Sequence, residues 1–332
     1  MELYKNFPPG WQHLKVPTSS RRAAQAALSL YAASRMRAVW AQRIAWAGVA
    51  LLGPRFLPGR ARPWTPIDEG VWEHLLRRWR SELGPFDAVA GYQRTLSSRA
   101  GFAALLLRRG TPLAFVKLRP AGGAELASSL EEQALRVMGA SAPHFFSTPQ
   151  LLSAGVVDSW RYFCTSTLPP RLHRAPSSPP LSAITEEIAA GLAALPRPAG
   201  TPSHWRGMHG DFTPWNLRQS GERLFLLDWE HAGWGPPDAD EIGYRLSASV
   251  LGVSAGTTRW SPTPDSLEAI RFWIEQASTW RGSKRDDQYV AAALRALEAM
   301  EAQVSAMSLG SPHSARSDAP SARERGLRTD AT

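Results

Sequence analysis

The middle of the chain alternates short apolar runs with polar breaks. Residues 89–92, 102–107 and 113–118 are apolar, and they are separated by Ser and Gly residues and by an Arg-Arg-Gly-Thr-Pro segment. Runs of this length between turn residues are typical of β-strands that follow one another in a meander. A further strand is predicted over residues 160–166, before a Leu-Pro-Pro turn. This part of the chain is therefore predicted to form an antiparallel sheet.

Longer segments without such breaks are predicted to be helices. They are residues 19–53, 68–82, 124–139, 181–195 and most of 238–308. The first is rich in Ala, Leu and Arg and ends at Gly53-Pro54, after which a Pro- and Gly-rich linker extends to residue 66. Strands come first and helices later, which indicates a two-lobed α+β chain. Residues 310–332 are polar and are expected to be disordered.

The first predicted helix has no clear polar face. Its apolar residues from Val39 to Leu52 surround the whole helix, and its arginines scatter around the helical wheel. This pattern indicates a helix that packs against the body of the protein or against a membrane surface, rather than a simple interfacial amphipathic helix.

The excess of basic charge is confined to the N-terminal segment. Residues 1–62 carry ten Lys or Arg and one acid, Glu2, so they account for the whole formal charge of +9, whereas basic and acidic residues cancel in 63–332. A neutral body excludes a general polyanion binder, and we expect no nucleic-acid partner. The basic segment is a candidate for peripheral contact with anionic membrane lipids.

The remaining composition indicates a cytoplasmic protein. The single cysteine, Cys164, excludes an intramolecular disulfide and a cysteine-rich zinc site. The first residues lack the basic-then-apolar order of a signal peptide, and the longest weakly charged run, residues 44–54, is about half a membrane span. The sequence says nothing about the oligomeric state.

One segment concentrates polar side chains that suit a metal ion and a reaction. It reads His-Gly-Asp-Phe-Thr-Pro-Trp-Asn over 209–216 and continues into a strand, a Ser-Gly turn and a second strand. In such a hairpin, residues whose numbers add to about 443 pair, which brings Asn216 and Asp228 to one end, beside Asp211. Three oxygen-bearing side chains suit a hard cation such as Mg²⁺ and leave one carboxylate over. This is the layout of phosphoryl transfer. The alternative is that all three are turn and capping residues.

These motifs resemble those of the small-molecule kinases that include the aminoglycoside phosphotransferases and choline kinases. The 209–216 loop is similar to the family's catalytic loop, and Asp-Trp-Glu at 228–230 is similar to its metal-binding motif. The resemblance covers roughly residues 86–305. It implies that Asp211 is the catalytic base and that Asn216 and Asp228 bind Mg²⁺.

The resemblance also suggests supporting residues. Asp240 matches the family's aspartate that braces the catalytic loop. Apart from the resemblance, the five-residue spacing of His204 and His209 is wrong for a metal pair, so His209 is interpreted as a residue that braces the loop. Pro236 stands where family members usually carry an acid. This departure affects the geometry of the loop more than its chemistry.

A bilobal protein-kinase-like fold of the α+β class follows from the resemblance. Its N-lobe is a small antiparallel sheet and its C-lobe is mainly helical, and this chain adds an N-terminal helical extension. The expected divisions are the basic extension and linker over 1–66, the nucleotide-binding N-lobe over 67–167, the C-lobe over 168–309 and the disordered tail over 310–332.

The N-lobe is then expected to supply a lysine for the phosphates and a carboxylate to pair with it. Only two lysines occur in 63–332, and Lys117 lies near the end of the third predicted strand, although Arg is the usual cation of this chain. On the following helix, Glu131 shares a face with two apolar residues and is predicted to pair with Lys117. Glu132 is the alternative partner.

The nucleotide loop is the least specific element. Residues 94–101 lie between the first two predicted strands and lack a Gly-x-Gly-x-x-Gly pattern. Ser97, Ser98 and Arg99 are candidate phosphate contacts, and an ordinary hairpin turn is the alternative. The connection between the lobes is expected near Thr165–Leu168, where backbone groups would meet the base.

The sequence therefore predicts a kinase that uses Mg²⁺ and either ATP or GTP to phosphorylate a hydroxyl group of a small molecule. The acceptor stays open between sugars, amino sugars, aminoglycoside-like compounds, amino alcohols and lipid-linked glycans. One alternative is a pseudokinase-like protein that binds a ligand or partner without turnover. The other is a protein kinase. This alternative is disfavoured because the few residues between Asp228 and Asp240 leave no room for a long activation segment.

Overall fold

The computed structural model describes residues 2–8, 14–30, 36–93, 101–122, 125–169, 172–252, 266–279 and 284–310. Its strands are β1 (Leu3–Phe7), β2 (Leu14–Pro17), β3 (Arg62–Pro63), β4 (Ala88–Gln93), β5 (Phe102–Arg108), β6 (Thr111–Pro120), β7 (Leu151–Val157), β8 (Trp160–Thr165), β9 (Arg206–Met208), β10 (Leu217–Ser220), β11 (Arg223–Leu226) and β12 (Gly233–Gly235). Its helices are α1 (Arg21–Ser29), α2 (Met36–Leu52), α3 (Glu69–Leu83), α4 (Glu125–Ser141), α5 (Leu181–Leu192), α6 (Ala239–Leu251), α7 (Ser266–Thr279) and α8 (Lys284–Gly310), with a short 3-10 turn over Pro54–Phe56.

Eight of these strands form one antiparallel sheet, in the order β3-β1-β2-β4-β5-β6-β8-β7. The predicted meander is present as β4, β5 and β6, and the predicted fourth strand is β8. The sequence analysis missed β7, which forms the edge beside β8. Nearly every residue of β5 is buried, because both faces of the sheet are covered at its centre.

Residues 1–66 contain helices within the predicted helical range and also three strands that the sequence analysis missed. β1, β2 and β3 extend the sheet, and β2 pairs with β4. Tyr4, Phe7, Leu14, Val16 and Pro17 are the buried residues of these strands. With two to five residues each, the strands are too short to show alternation among the neighbouring prolines. The sheet therefore crosses the predicted boundary between the extension and the N-lobe.

The single helix predicted over 19–53 is two helices, α1 and α2, and residues 31–35 between them lie outside the described part of the chain. Ser20 caps α1, because its side chain accepts a hydrogen bond from the N–H of Ala23 at 3.1 Å. The small side chains of α1 let it pack closely on the sheet. The cluster they form comprises Ala23, Ala24, Ala27 and Leu28 of α1, Ala88 and Ala90 of β4, and Leu105 and Leu107 of β5.

Helix α3 covers the opposite face of the sheet. Trp72 and Trp79 of α3 are buried, and their rings meet edge to face with centroids 5.6 Å apart. The sheet residues packed in this cluster include Val89, Leu106, Val116 and Tyr162. Since neighbouring residues of a strand point to opposite faces, β4 and β5 supply one core toward α1 and another toward α3.

Helix α4 leads from the sheet into a mainly helical C-terminal region. Its buried side chains pack with α5 and with the hairpin of β10 and β11, and α6, α7 and α8 form a further cluster. The hairpin has the predicted register, with Leu217 opposite Leu226. The predicted α+β architecture is confirmed, and the predicted tail, apart from Gly310, lies outside the described residues.

Leu28→Ala measures how far the N-terminal segment belongs to the folded core. Leu28 is fully buried in the cluster of α1 and the sheet, so we expect the free energy of unfolding to fall by about 2–5 kcal/mol. Leu52→Ala, at a side chain that is 65% exposed, is the matched control and should change it by less than about 0.5 kcal/mol. Urea unfolding measures both. Equal stability of Leu28→Ala and the wild type would contradict the packing of α1 on the sheet.

Candidate active site

Asp240, near the start of α6, holds the loop over residues 209–216 by binding two backbone N–H groups of the loop. Its carboxylate accepts hydrogen bonds from the N–H of His209 at 2.7 Å and from the N–H of Gly210 at 3.0 Å. Gly210 has a φ of 76°, and a side chain there would collide with the carbonyl group of His231. The tight turn of the loop therefore requires glycine at this position.

His209 is fully buried and holds the loop by its ring. The carbonyl oxygen of Leu227 lies 2.9 Å from Nε2, and the N–H of Asp211 donates to Nδ1 at 3.2 Å. These partners place a proton on Nε2 and none on Nδ1, so the ring is neutral. Burial lowers the pKa of His209 to about 4, which agrees with that tautomer.

Burial also shifts the pKa of the other bracing residue. It raises the pKa of Asp240 to about 6, although the N–H donors of His209 and Gly210 act to lower it. Asp211 and Asn216 line a cavity, but neither His209 nor Asp240 does. The two residues therefore shape the loop from behind.

Asn216 fixes the carboxylate of Asp211. Its side-chain amide donates to the carbonyl oxygen of Asp211 at 2.9 Å and to Oδ2 of Asp211 at 2.8 Å. The carbonyl oxygen of Asn216 accepts from the N–H of Leu227 at 3.0 Å and so continues the ladder of the hairpin. Because Nδ2 of Asn216 is held by Asp211, Oδ1 of Asn216 is the side-chain atom that can serve as a metal ligand.

Lys117, on β6, lies between two carboxylates. Its Nζ donates to Oε1 of Glu131 at 2.6 Å and to Oε2 at 2.8 Å, and it also donates to Oδ1 of Asp228. Glu132 pairs instead with two arginines on α4 and β8. The ammonium group of Lys117 thus connects the sheet, α4 and the end of the hairpin.

A second ion pair, which the sequence analysis missed, lies beside the first. Arg119, two residues beyond Lys117 on β6, pairs with Glu230, two residues beyond Asp228. Side chains two residues apart on a strand point to the same face. That equal spacing is the signal by which the second pair could have been found in the sequence.

Among the described residues, three carboxylates and two permanent cations lie where the two pairs meet. Carboxylate oxygens of Glu131, Asp228 and Glu230 lie within 4.8 Å of one another, Lys117 and Arg119 pair with them, and the ring of His231 lies 3.6 Å from Glu230. Burial raises the pKa of Glu131, the Lys117 ammonium acts against this shift, and the two other carboxylates add to it. A surplus of negative charge on oxygen donors is what a divalent hard cation requires.

The backbone of Asp228 is in the left-handed region, with a φ of 65°. Few residues other than glycine adopt this conformation, and Asp is one of those that tolerate it. Such strain is typical of residues whose side chain must be directed to a functional site. The contact with Lys117 holds that side chain in place.

A cavity of about 480 Å³ gathers these side chains. From the predicted site it is lined by Lys117, Glu131, Asp211, Asn216 and Asp228. The segment Thr165–Leu168 also lines it, where the connection between the lobes is expected. Ser97, Ser98 and Arg99 lie outside the described residues, so the nucleotide loop stays a prediction.

Two further parts of the cavity wall were missed by the sequence analysis. Ser29 and Leu30, at the end of α1, form one of them. Arg218 forms the other: it is buried, its Nη2 donates to the carbonyl oxygen of His173 at 2.9 Å, and burial lowers its pKa to about 10. No carboxylate within the described residues pairs with Arg218. Its position two residues after Asn216 was the available signal, because both side chains then face the cavity.

His209→Gln should remove one source of the pH dependence of stability. The pKa of His209 falls from 6.5 to about 4 on folding. Above pH 6.5 the neutral ring therefore makes its full contribution to the free energy of unfolding. As the pH falls toward 4 this free energy decreases by up to about 3 kcal/mol. In the variant this loss is absent.

The measurement is urea unfolding of both proteins across this pH range. Asp240 acts in the opposite direction as the pH rises from 3.8 to 6, but it is present in both proteins, so the difference between the two curves isolates His209. Parallel curves for the wild type and His209→Gln would contradict the neutral buried ring.

Comparison with known proteins gives one sequence match. Residues 168–244 match the phosphotransferase enzyme family. A search of curated proteins found none that matches this chain.

Several solved structures are similar at low identity. A protein from Haemophilus somnus 129PT assigned as a fructosamine-3-kinase has 10% identity and a TM-score of 0.45, over 70% of this chain and 98% of its own. An aminoglycoside 2′-phosphotransferase solved with GDP has 13% identity and a TM-score of 0.44, over 72% of this chain and 98% of its own. A spectinomycin phosphotransferase solved with ADP and spectinomycin has 10% identity and a TM-score of 0.40, over 70% and 99%. Likenesses this weak support no conclusion about function.

The matched segment contains the loop over residues 209–216, the hairpin of β10 and β11, and Asp240, which holds the loop. It begins at Leu168, the last residue of the cavity-lining segment Thr165–Leu168, and contains Asp211, Asn216, Asp228 and Asp240. The resemblance predicted from the sequence is thereby confirmed over residues 168–244, and the enzyme class is that of a phosphotransferase.

Proposed function

We propose that the chain is a small-molecule kinase that transfers the terminal phosphate of ATP or GTP to a hydroxyl group with the help of Mg²⁺. The observation that carries this proposal is that the Lys117–Glu131 pair, Asp228 and the Asp211–Asn216 pair all line one cavity. A cation for the phosphates, oxygen ligands for a metal and a carboxylate for the hydroxyl group are what phosphoryl transfer needs.

The donor set fits Mg²⁺. The carboxylate of Asp228 and Oδ1 of Asn216 are hard oxygen donors at the end of one hairpin, and the surplus of carboxylates near Lys117 favours a divalent ion. We therefore assign Asn216 and Asp228 to the metal. When bound, Mg²⁺ would neutralise charge on the phosphates and help to align them with the acceptor.

Lys117 binds the phosphates of the nucleotide through Nζ. Both carboxylate oxygens of Glu131 accept from this ammonium group, so it is held at one point of the cavity before the nucleotide arrives. A cation that is already in place costs little reorganisation when the charge of the transition state develops. Glu131 is thus a positioning residue for Lys117.

Asp211 orients the acceptor. Its carboxylate accepts a hydrogen bond from the hydroxyl group, directs the oxygen toward the terminal phosphate and takes the proton as the phosphoryl group is transferred. The amide of Asn216 holds Oδ2, which fixes the plane of the carboxylate. His209 and Asp240 act through the backbone of the loop and are positioning residues.

The nucleotide base is proposed to lie against Thr165–Leu168, where backbone groups can bind it, with Ser29 and Leu30 beside it. Ser97, Ser98 and Arg99 are proposed for the phosphates, from their place between β4 and β5. The sequence leaves ATP and GTP open, so both triphosphates are to be assayed.

The acceptor is proposed to be a sugar, an amino sugar, an aminoglycoside-like compound or an amino alcohol. Trp215 lines the cavity, and its ring centroid lies 6.4 Å from that of Tyr289 on α8. Burial raises the pKa of Tyr289, and the charge of Asp211 adds to this shift, which places the phenol near the proposed base. Aromatic faces at this point suit stacking on the apolar side of a sugar ring.

Asp211→Asn is expected to lower kcat by about 10²–10⁴-fold, because an amide cannot take the hydroxyl proton. The KM for the nucleotide should change little. Asp158→Asn, at an exposed turn where the carboxylate faces only His74, is the matched control and should keep full activity. The assay measures phosphorylated product with Mg²⁺-ATP and with Mg²⁺-GTP over a panel of sugars, amino sugars, aminoglycosides and amino alcohols.

The outcomes separate the alternatives. Equal product from Asp211→Asn and the wild type would reject the catalytic assignment. A wild-type protein that binds nucleotide but phosphorylates no compound would favour a pseudokinase-like binding protein. Phosphorylation of a protein target without any small-molecule product would favour a protein kinase.

Glu131→Gln should raise the KM for the nucleotide by about tenfold, which corresponds to the loss of one buried charged hydrogen bond. Without the charge of Glu131, Lys117 is drawn toward Asp228 and away from the phosphates. Glu132→Gln, one residue away, breaks only partly exposed pairs with Arg136 and Arg161 and should leave KM unchanged. Steady-state kinetics at varied nucleotide concentration measures both, and equal KM values for the two variants would contradict the role of Glu131.

A further inference from the structure

Helix α2 exposes large apolar side chains along one face. Trp40 is 56% exposed, Ile44 is 60% exposed and Leu51 is 74% exposed. At 100° per residue these three positions fall within about 40° of one another on the helical wheel. Leu52 and Phe56 are exposed beside them. We call these five residues the apolar ridge.

The core of the protein does not account for the apolar ridge, because α2 packs inward through its other face. Ala45 and Val49 are buried in the cluster that α2 shares with α1 and the sheet. The buried side chain of Gln42 donates from Nε2 to the carbonyl oxygen of Leu28 at 2.8 Å. The helix that is apolar all round in sequence thus has one face in the core and the other in solvent.

The turn after α2 extends the ridge. The ring of Phe56 lies over Gly48, where any side chain would collide with it. Phe56 therefore packs onto the exposed side of α2 between Ile44 and Leu52, which lie on either side of Gly48 on the helical wheel. The ridge is one continuous surface made by the helix and the turn.

Basic side chains flank this surface. Arg37, Arg43 and Arg55 are exposed, and the guanidinium group of Arg43 lies 5.5 Å from the centroid of the Trp40 ring. Glu2 is the single acid in residues 1–62, against ten Lys or Arg. Exposed Trp, Ile, Leu and Phe side chains beside arginines match the boundary between acyl chains and anionic headgroups in a bilayer.

We propose that the apolar ridge docks on the surface of an anionic lipid bilayer, with α2 lying in the plane of the interface. The ridge inserts its apolar side chains among the acyl chains, and the flanking arginines bind lipid phosphates. A second copy of the chain fits this surface poorly, because it would bring like charges together. None of the described helices is long and apolar enough to cross a membrane, so the contact is peripheral.

The test uses the full-length chain and sedimentation with vesicles of phosphatidylcholine alone or mixed with phosphatidylglycerol. The wild type should bind the anionic vesicles only, and raised salt should weaken the binding. Leu51→Asn should reduce the affinity for the vesicles by about tenfold, because the variant no longer buries a leucine side chain among the acyl chains. Arg43→Gln should also weaken it. Val156→Asn, at a side chain 54% exposed on β7 at the other end of the sheet, is the matched control and should bind as the wild type does.

Three results would overturn the proposal. They are wild-type protein that does not bind anionic vesicles, Leu51→Asn that binds as well as the wild type, and a wild-type dimer that Leu51→Asn converts to a monomer without any change in lipid binding. The last would assign the ridge to a second copy of the chain. Light scattering after size exclusion measures the dimer, and far-UV circular dichroism checks that each variant is folded. None of these readouts depends on kinase activity.

Discussion

The rest of the site depends on two ion pairs that β6 makes with the segment after the hairpin. Lys117 pairs with Asp228, and Arg119 pairs with Glu230. Lys117 and Arg119 lie two residues apart on one face of β6, and their partners are also two residues apart, in the segment after the hairpin. Buried charges are costly unless each finds a partner, and these four residues can be satisfied only when the sheet and the C-terminal region stand in one relative position. That constraint holds the Lys117 ammonium group, which we propose binds the phosphates, beside the proposed metal ligands.

The parts of the fold and site that the sequence predicts are those in which local pattern and chemistry agree. The hairpin follows from two short strands around a Ser-Gly turn, and its register then places Asn216 near Asp228 without any knowledge of the rest of the chain. The pairing of Glu131 with Lys117 follows in the same way, because the apolar residues of α4 decide which glutamate turns inward. In both cases one short-range rule is sufficient.

The features that the sequence does not predict depend on distant contacts. β2 is a strand because β4 offers it an edge, and β1 pairs in turn with β2. Their own residues are too few to show a period. Arg119 and Arg218 look like surface arginines in sequence. Only the folded structure shows that Arg119 pairs with the buried Glu230 and that Arg218 is buried beside His173.

The C-terminal end of α1 contacts both the cavity and α2. Ser29 and Leu30 face the cavity, while the neighbouring carbonyl group of Leu28 is bound by α2. These residues lie outside the segment that matches the phosphotransferase family. An inhibitor that reaches Ser29 and Leu30 would therefore contact a wall formed by this chain's own N-terminal segment, and its selectivity would come from there rather than from the proposed catalytic and metal-binding residues.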